Sequence, residues 1–266
     1  MPVYDGDDAK YLPAAVESIL SQTFKDFELV IVMDGVKRRD LAEIIYAYAR
    51  NNDNIIVDNL AVNKGIVYAL NRSIELSSGK YLIRMDADDI SATNRIQKLV
   101  DYLDAHGDIY FVGSFLYEIN DAGEITSKCD YPTEWKKILK FLPWRVAWGH
   151  PTVAFRREFF EIIGGYRDKY YHNEDYDLWF RAVIKDLRGA NIPEYLYKMR
   201  VNSGFYGRRR GLKLALSEFK VRKDFIRHKY FPYYSMPAPF VIFVVRMLPQ
   251  RMIKSIYKIF MRGSTA

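Results

Sequence analysis

The sequence predicts an α/β fold, a doubly wound and mostly parallel sheet flanked by helices, followed by a helical basic C-terminal extension. Three observations carry this expectation. Short β-branched or aromatic runs alternate with helical stretches through the first half of the chain. The composition, 49% apolar and 27% charged over 266 residues, is that of a globular chain long enough to bury one sizeable core. Basic charge collects at the carboxyl end.

The elements follow in order. Strands are expected at Phe27–Met33, Ile55–Asn59, Tyr81–Met85 and Tyr110–Glu118, and helices at Ala14–Ser21, Arg39–Asn51, Gly65–Ser77 and Arg95–Leu103. Within Arg39–Asn51, the residues Leu41, Ile44, Ile45, Tyr48 and Ala49 recur at the spacing of one helix face. Strands alternating with helices call for parallel pairing covered on both faces, and such sheets bind ligands beyond the carboxyl ends of their strands. The second half is less regular. Helices are expected at Glu134–Leu142, at Arg157–Ile163 (ended by Gly164-Gly165), from Asn173 onward and over Gly211–Lys229, with strands at Thr152–Phe155 and Tyr195–Met199. At the end, Met252–Phe260 would place Ile253, Ile256, Tyr257 and Phe260 on one face of a helix, flanked by basic residues.

The net charge of +7 is unevenly placed. From Phe205 onward there are 14 Lys/Arg against 2 Asp/Glu, whereas residues 1–204 carry 26 basic and 31 acidic groups. The first 204 residues are therefore no basic nucleic-acid surface, and no recognition module accompanies the charge of the tail, so no nucleic-acid partner is expected. The single cysteine, Cys129, excludes an intramolecular disulfide and a thiolate zinc cage and suits a reducing compartment. Met1-Pro2-Val3-Tyr4-Asp5 shows no basic start or apolar stretch of a signal peptide. The apolar run Pro239–Val245 falls short of the roughly 20 residues a membrane span needs.

Chemistry concentrates where the strand Tyr81–Met85 runs into Asp86-Ala87-Asp88-Asp89. Three carboxylates in four residues repel one another unless a positive charge sits among them. At a strand's carboxyl end, a divalent cation with a phosphorylated ligand would supply it, and hard oxygen ligands suit Mg²⁺ or Mn²⁺. The competing reading is a solvated turn, with Asp89 or Ser91 capping the next helix.

The wider pattern favours the first reading. Met1-Pro2-Val3-Tyr4, Val16–Phe24 and Phe27–Gly35 are followed by Asn63-Lys64-Gly65, Gly79-Lys80-Tyr81 and the Asp86–Asp89 cluster. Gly149-His150-Pro151-Thr152, Gly164-Gly165-Tyr166 and Asn173-Glu174-Asp175-Tyr176-Asp177-Leu178-Trp179 complete it. This ordered set, over roughly residues 1 to 204, resembles the family-2 glycosyltransferases. The resemblance implies a GT-A fold and inverting transfer of a sugar from a nucleotide-diphosphate donor, expected to be a UDP-sugar, to a hydroxyl of a glycan or lipid-linked acceptor. It implies a domain over 1–204, with a nucleotide-sugar half at about 1–118 and an acceptor half at about 119–204; the charge and apolar spacing beyond it give a basic amphipathic tail over 205–266.

Residue by residue, the resemblance puts Pro2 and Tyr4 in the nucleotide pocket, Asp34 on the base, Asp86 on the ribose or in the metal shell, and Asp88 as main ligand of Mn²⁺ or Mg²⁺. Asp175 matches the general base, with Glu174 beside it, although Asn173-Glu174-Asp175 also suits a plain helix start. Lys64 and Arg200 are candidate contacts to the diphosphate. Relatives often carry Arg-x-His where this chain has Arg200-Val201-Asn202, so a histidine is missing there. Relatives also usually carry several apolar residues before Met-Pro-Val-Tyr. His150 and Trp179 are candidates for the acceptor site. The basic, amphipathic tail suits peripheral contact with an anionic membrane, and the expected location is cytoplasmic, on the inner face of the cell membrane. The alternatives are a catalytically degenerate transferase retained as a membrane-associated glycan-binding scaffold, and a sugar-nucleotide nucleotidyltransferase, whose Gly-rich phosphate loop Pro2–Asp8 does not supply.

Overall fold

The computed structural model describes residues 1–202, 209, 211–227, 233–249, 252 and 256. The chain opens with β1 (Pro2–Val3), α1 (Leu12–Leu20), β2 (Leu29–Asp34), α2 (Arg39–Asn51), β3 (Ile55–Leu60), α3 (Ile66–Leu76) and β4 (Tyr81–Ile83). Then come β5 (Ile90–Ser91), α4 (Arg95–Ala105), β6 (Ile109–Ile119), β7 (Ile125–Cys129) and α5 (Trp135–Phe141). A 3-10 turn at His150–Thr152 leads into β8 (Ala154–Arg156), α6 (Arg157–Ile163), α7 (Glu174–Ile184), β9 (Arg188–Arg200), α8 (Leu212–Ile226) and α9 (Ala238–Met247). The expected helix over 252–260 lies almost wholly outside the described residues.

The α/β class holds, but the sheet is divided. β1, β2 and β3 pair in parallel, and every residue of β2 is buried, as a central strand requires. The remaining strands form a mixed sheet in the order β4-β8-β6-β9-β5, with β7 also on β6. There only β6 and β9 run parallel, and the other pairs are antiparallel. Parallel pairing needs a long crossover, whereas a tight turn at Asn120–Glu124, with Gly123 at φ +84°, folds β7 straight back onto β6. β1 and β4 end their respective sheets, and a cavity of about 630 Å³ lies between the two sheets, lined by Leu29, Val30, Leu82, Arg84 and Met85 among others.

Local chemistry accounts for the helices. Leu41 and Ile45 of α2 are fully buried on the face anticipated from their spacing. α6 ends at Gly164, whose left-handed backbone (φ +80°) lets its N–H reach the Phe160 carbonyl. The densest part of the core is aromatic. Phe111 stacks on Trp179 at 5.2 Å and lies 4.7 Å from Trp148 and 5.3 Å from Phe159, all four side chains fully buried. α8 closes one side of this core. Its Phe225 stacks on Phe180 of α7 at 4.6 Å, and its Arg222 lies over Tyr176 at 4.3 Å. Among the described residues no helix is long and apolar enough to cross a membrane.

Candidate active site

The end of β2 presents Asp34, buried and with both carboxylate oxygens occupied. Oδ1 accepts the Lys64 amide at 2.7 Å and Oδ2 the Gly65 amide at 2.9 Å, while Asn63 Nδ2 donates to the Asp34 carbonyl at 3.1 Å. Asp34 thus ties β2 to the loop that starts α3. Next to it, Gly35 has φ +66°, and a Cβ would stand 2.1 Å from the Asn63 backbone nitrogen. Gly35→Ala is therefore expected to cost more than about 1 kcal/mol, through both the left-handed backbone and the displaced loop, read as a lowered midpoint in thermal unfolding. Lys64 does not reach inward, because its ammonium lies over the Tyr68 ring at 4.1 Å. Tyr4 is about half exposed, and its amide donates to Asp7 Oδ2 at 2.9 Å.

The loop after β4 is held from beneath. Asp89 is buried and accepts the Arg200 amide at 2.6 Å, so it anchors the loop to β9 and does not cap α4. Arg200, also buried, donates from Nε to the Asp88 carbonyl at 3.0 Å and from Nη1 to the Asn120 carbonyl at 2.7 Å, and its guanidinium lies over Tyr11 at 3.8 Å. It shapes the acidic loop through the backbone. Burial, and then Asp86 and Asp88, raise the Asp89 carboxyl well above its ordinary range. Asp86 is half-buried, pairs with the Arg84 guanidinium and donates its amide to the Tyr197 hydroxyl at 3.2 Å. Arg84 is nearly buried and its Nε has no hydrogen-bond partner among the described residues. Beneath it, Arg95 donates from Nη2 to the Arg84 carbonyl at 2.7 Å and to the Pro151 carbonyl at 2.9 Å, which joins the acidic loop to the His150 turn.

The first turn of α7 carries Glu174 and Asp175. Asp175 Oδ1 accepts the Tyr176 amide at 2.7 Å. Burial first, then the neighbouring Glu174 carboxylate, push Asp175 up to about 7. Burial also raises Glu174, with Asp168 and Asp86 adding to the shift and Arg84 opposing it. That influence of Asp86 and Arg84 brings the loop after β4 and the start of α7 into one electrostatic neighbourhood. His150 belongs to it as well. Its Nε2 meets the Tyr166 hydroxyl at 2.8 Å, and burial, with Arg84 nearby, holds the imidazole neutral, well below its ordinary range. Trp179, by contrast, is fully buried in the aromatic core, with an edge-on contact to His150 at 6.1 Å.

Several members of the site were not singled out from sequence. Asp7 is raised to about 7 by burial, with Asp88 and Asp86 contributing, so it faces the acidic loop. Its only sequence signal was its place just after Tyr4. Tyr197 announced itself by no charge or spacing, and Tyr166, though part of the Gly164-Gly165-Tyr166 motif, was given no role there. The carboxylates fit a hard divalent cation in kind. Asp86 and Asp88 crowd Asp7 and Asp89 with like charge, which a cation would relieve. Among the described residues no three ligand side chains converge, so the remaining ligands would have to come from a phosphorylated molecule.

A parallel β1-β2-β3 unit that presents Asp34, an acidic loop after β4 of the second sheet and a helix that opens on two carboxylates make up an α/β architecture of the transferase class. The sequence profile of glycosyl transferase family 2 matches residues 1–164, and the chain belongs to that family. It is 32% identical over 263 residues to an Escherichia coli UDP-Gal:alpha-D-GlcNAc-diphosphoundecaprenol beta-1,3-galactosyltransferase, covering 97% of this chain and 94% of the relative. It is 31% identical over 196 residues to the Escherichia coli O-antigen biosynthesis glycosyltransferase WbnJ, covering 73% and 76% of the two chains. Among solved structures, S. aureus TarS 1-349 superposes with a TM-score of 0.67 at 15% identity, covering 98% of this chain and 74% of that one. The mannosyltransferase PcManGT from Pyrobaculum calidifontis, in complex with GDP-Man and Mn²⁺, superposes with a TM-score of 0.66 at 15% identity, covering 96% and 76%. These likenesses establish the GT-A fold.

Proposed function

We propose that this glycosyltransferase moves a sugar, with inversion, from a UDP-sugar to a hydroxyl of a glycan or lipid-linked acceptor, with Asp175 as general base. The carrying observation is Asp175 itself, a carboxylate lifted to about 7 beside Glu174, which in turn feels Asp86 of the acidic loop. A base with a pKa near the working pH is both ionised and able to accept a proton. The donor is supported by the UDP-Gal of the Escherichia coli relative and by a structure of TarS 1-349 in complex with UDP-GlcNAc. The acceptor class is supported by the same relative, which is named for a diphosphoundecaprenol acceptor.

On this reading the acceptor hydroxyl attacks the anomeric carbon from the face opposite the diphosphate. The new C–O bond forms as the bond to the diphosphate breaks, and Asp175 takes the hydroxyl proton. Glu174 keeps the acceptor oriented and keeps Asp175 basic. Mn²⁺ or Mg²⁺ held by Asp88, with Asp86, would stabilise the negative charge that builds on the leaving diphosphate. Pro2 and Tyr4 line the nucleotide pocket, and Asp34 shapes it by holding the Lys64-Gly65 amides. Arg84 supplies the counter-charge to Asp86, and Arg200 sets the loop's conformation. Neutral His150 borders the acceptor side, and Trp179 supports it from the core. Residues of about 1–118 hold the donor and 119–204 the acceptor, while the basic segment from 205 brings the chain to an anionic membrane on its cytoplasmic face.

Thermal unfolding with UDP-, GDP- and dTDP-sugars, each with and without Mn²⁺, tests this reading. Ligand at a hundred times its dissociation constant stabilises by about 2.7 kcal/mol. A UDP-sugar should raise the midpoint, more with Mn²⁺ than without. No shift with any donor would overturn the reading in favour of a degenerate scaffold.

A further inference from the structure

α8 and α9 form an antiparallel hairpin. The Gly211 amide, just before α8, donates to the Arg246 carbonyl near the end of α9 at 3.1 Å, while Phe219 lies 5.0 Å from Phe240 near the start of α9. Its inner side is fixed to the catalytic domain. Ser217 accepts from the buried Asn173 at 3.1 Å, immediately before Glu174. Buried Glu218 accepts from Arg222, which lies over Tyr176, and from Arg246 of α9 at 2.8 Å. The outer side, among the described residues, is left exposed. Phe240 and Val244 are 64% and 58% exposed, and Val241, Met247, Leu212 and Leu216 are exposed with them. Lys220, Lys223 and Arg227 continue the outward stripe of α8.

Clustered exposed apolar side chains of this kind mark a binding surface. We propose that the outer face of the α8–α9 hairpin docks on an anionic lipid bilayer, lying in its interface with Phe240 and Val244 inserted among the acyl chains. This rests on the reading of the acceptor as membrane-bound and goes further by naming the surface. Three facts select a bilayer as the occupant. The apolar stripe and the lysines lie side by side, as interfacial helices require. The segment from Phe205 carries 14 basic and 2 acidic residues, complementary to anionic headgroups and self-repelling toward a second copy. α9 has ten residues and is about 15 Å long, too short to span a bilayer but suited to lie on it. Because the inner side of the same hairpin grips the start of α7, docking would set the Glu174-Asp175 end of the site at a fixed height above the lipid surface.

Flotation of the full chain with vesicles of equal parts phosphatidylglycerol and phosphatidylcholine tests the proposal. The protein should float with these vesicles, less in high salt, and little with phosphatidylcholine alone. The double variant Phe240→Ser/Val244→Ser should reduce the bound fraction at least about tenfold. Lys220→Glu/Lys223→Glu should weaken binding at low salt by about fivefold or more per residue. Thermal shift by a UDP-sugar, measured without vesicles on the same variants, should match the parent, which separates loss of docking from failure of the donor site. Parent protein that does not float, a Phe240→Ser/Val244→Ser protein that floats like the parent, or a parent dimer that this variant dissociates would each overturn the proposal.

Discussion

Asp175→Asn should lower kcat by about 10²–10⁴-fold while leaving the affinity for a UDP-sugar near that of the parent. The asymmetry follows from position. In the proposed mechanism Asp175 on α7 serves the acceptor and the acidic loop serves the donor, so its charge matters when the acceptor hydroxyl gives up its proton and little before. The pH profile gives a second readout. With Asp175 raised to about 7, the ionised base is scarce in acid, so kcat/KM of the parent should climb with pH and level off above about 7. The residual activity of Asp175→Asn should lose this limb. Stability should move the other way. The folded state binds a proton at Asp175 more tightly than the unfolded chain does, so between the ordinary carboxylate range and about 7 its contribution to stability falls as pH rises. At a pH of about 8 the ionised, half-buried carboxylate is a cost that Asn removes, and the variant should unfold at a temperature equal to or above the parent's. An inactive variant that also loses UDP-sugar binding, or one that transfers at the parent's rate, would remove Asp175 from the role of base.

Two residues further along α7, the expected effect is on folding. Asp177 is fully buried and accepts from Arg181 Nε at 2.7 Å and from Arg167 Nη2 at 2.5 Å. Arg181, itself buried, also donates to the Ile163 carbonyl at 2.8 Å and the Gly165 carbonyl at 2.7 Å. The pair therefore ties the end of α6 and the Gly164-Gly165 turn to the helix that carries Asp175. Asp177→Ala would leave a buried guanidinium without its counter-charge, and breaking such a pair costs about 3–5 kcal/mol. At about 2–4 °C per kcal/mol for a chain of this size class, the unfolding midpoint should fall by roughly 6–20 °C. A fall of a degree or less would mean that Arg181 finds another partner or water.

These two carboxylates show how far the sequence could be read. Asp175 stood out because it fell within an ordered set of motifs. Asp177, two positions on in the same motif, has the larger structural role; its i,i+4 spacing to Arg181 was legible, but its burial and its second partner, Arg167 in a separate loop, were not. The acidic loop shows the same division. A cluster of like charges beyond an apolar strand pointed to a charged ligand, and burial of Asp89 under Asp86 and Asp88 bears out the crowding. That Asp89 anchors β9, and that Arg200 works on the loop through the Asp88 carbonyl, came only with the fold.

What local sequence settles here is whatever a helix or strand decides within its own length. α2 and α6 have the bounds their periodicity and the Gly164 terminator specify, and β2 is the buried central strand its apolar run implies. The short strands β1 and β5, the division of the sheet and the environment of each carboxylate came from elsewhere. They depend on pairings such as Asp89 with Arg200, 111 residues apart, and on which charges lose their water when the halves close together. Hydrogen-bond partners across that distance leave no periodic trace in the chain, and desolvation belongs to the packed molecule, not to any segment of it. The cluster Asp86-Ala87-Asp88-Asp89 could be found by reading along the chain; its electrostatic linkage to Glu174 exists only in three dimensions.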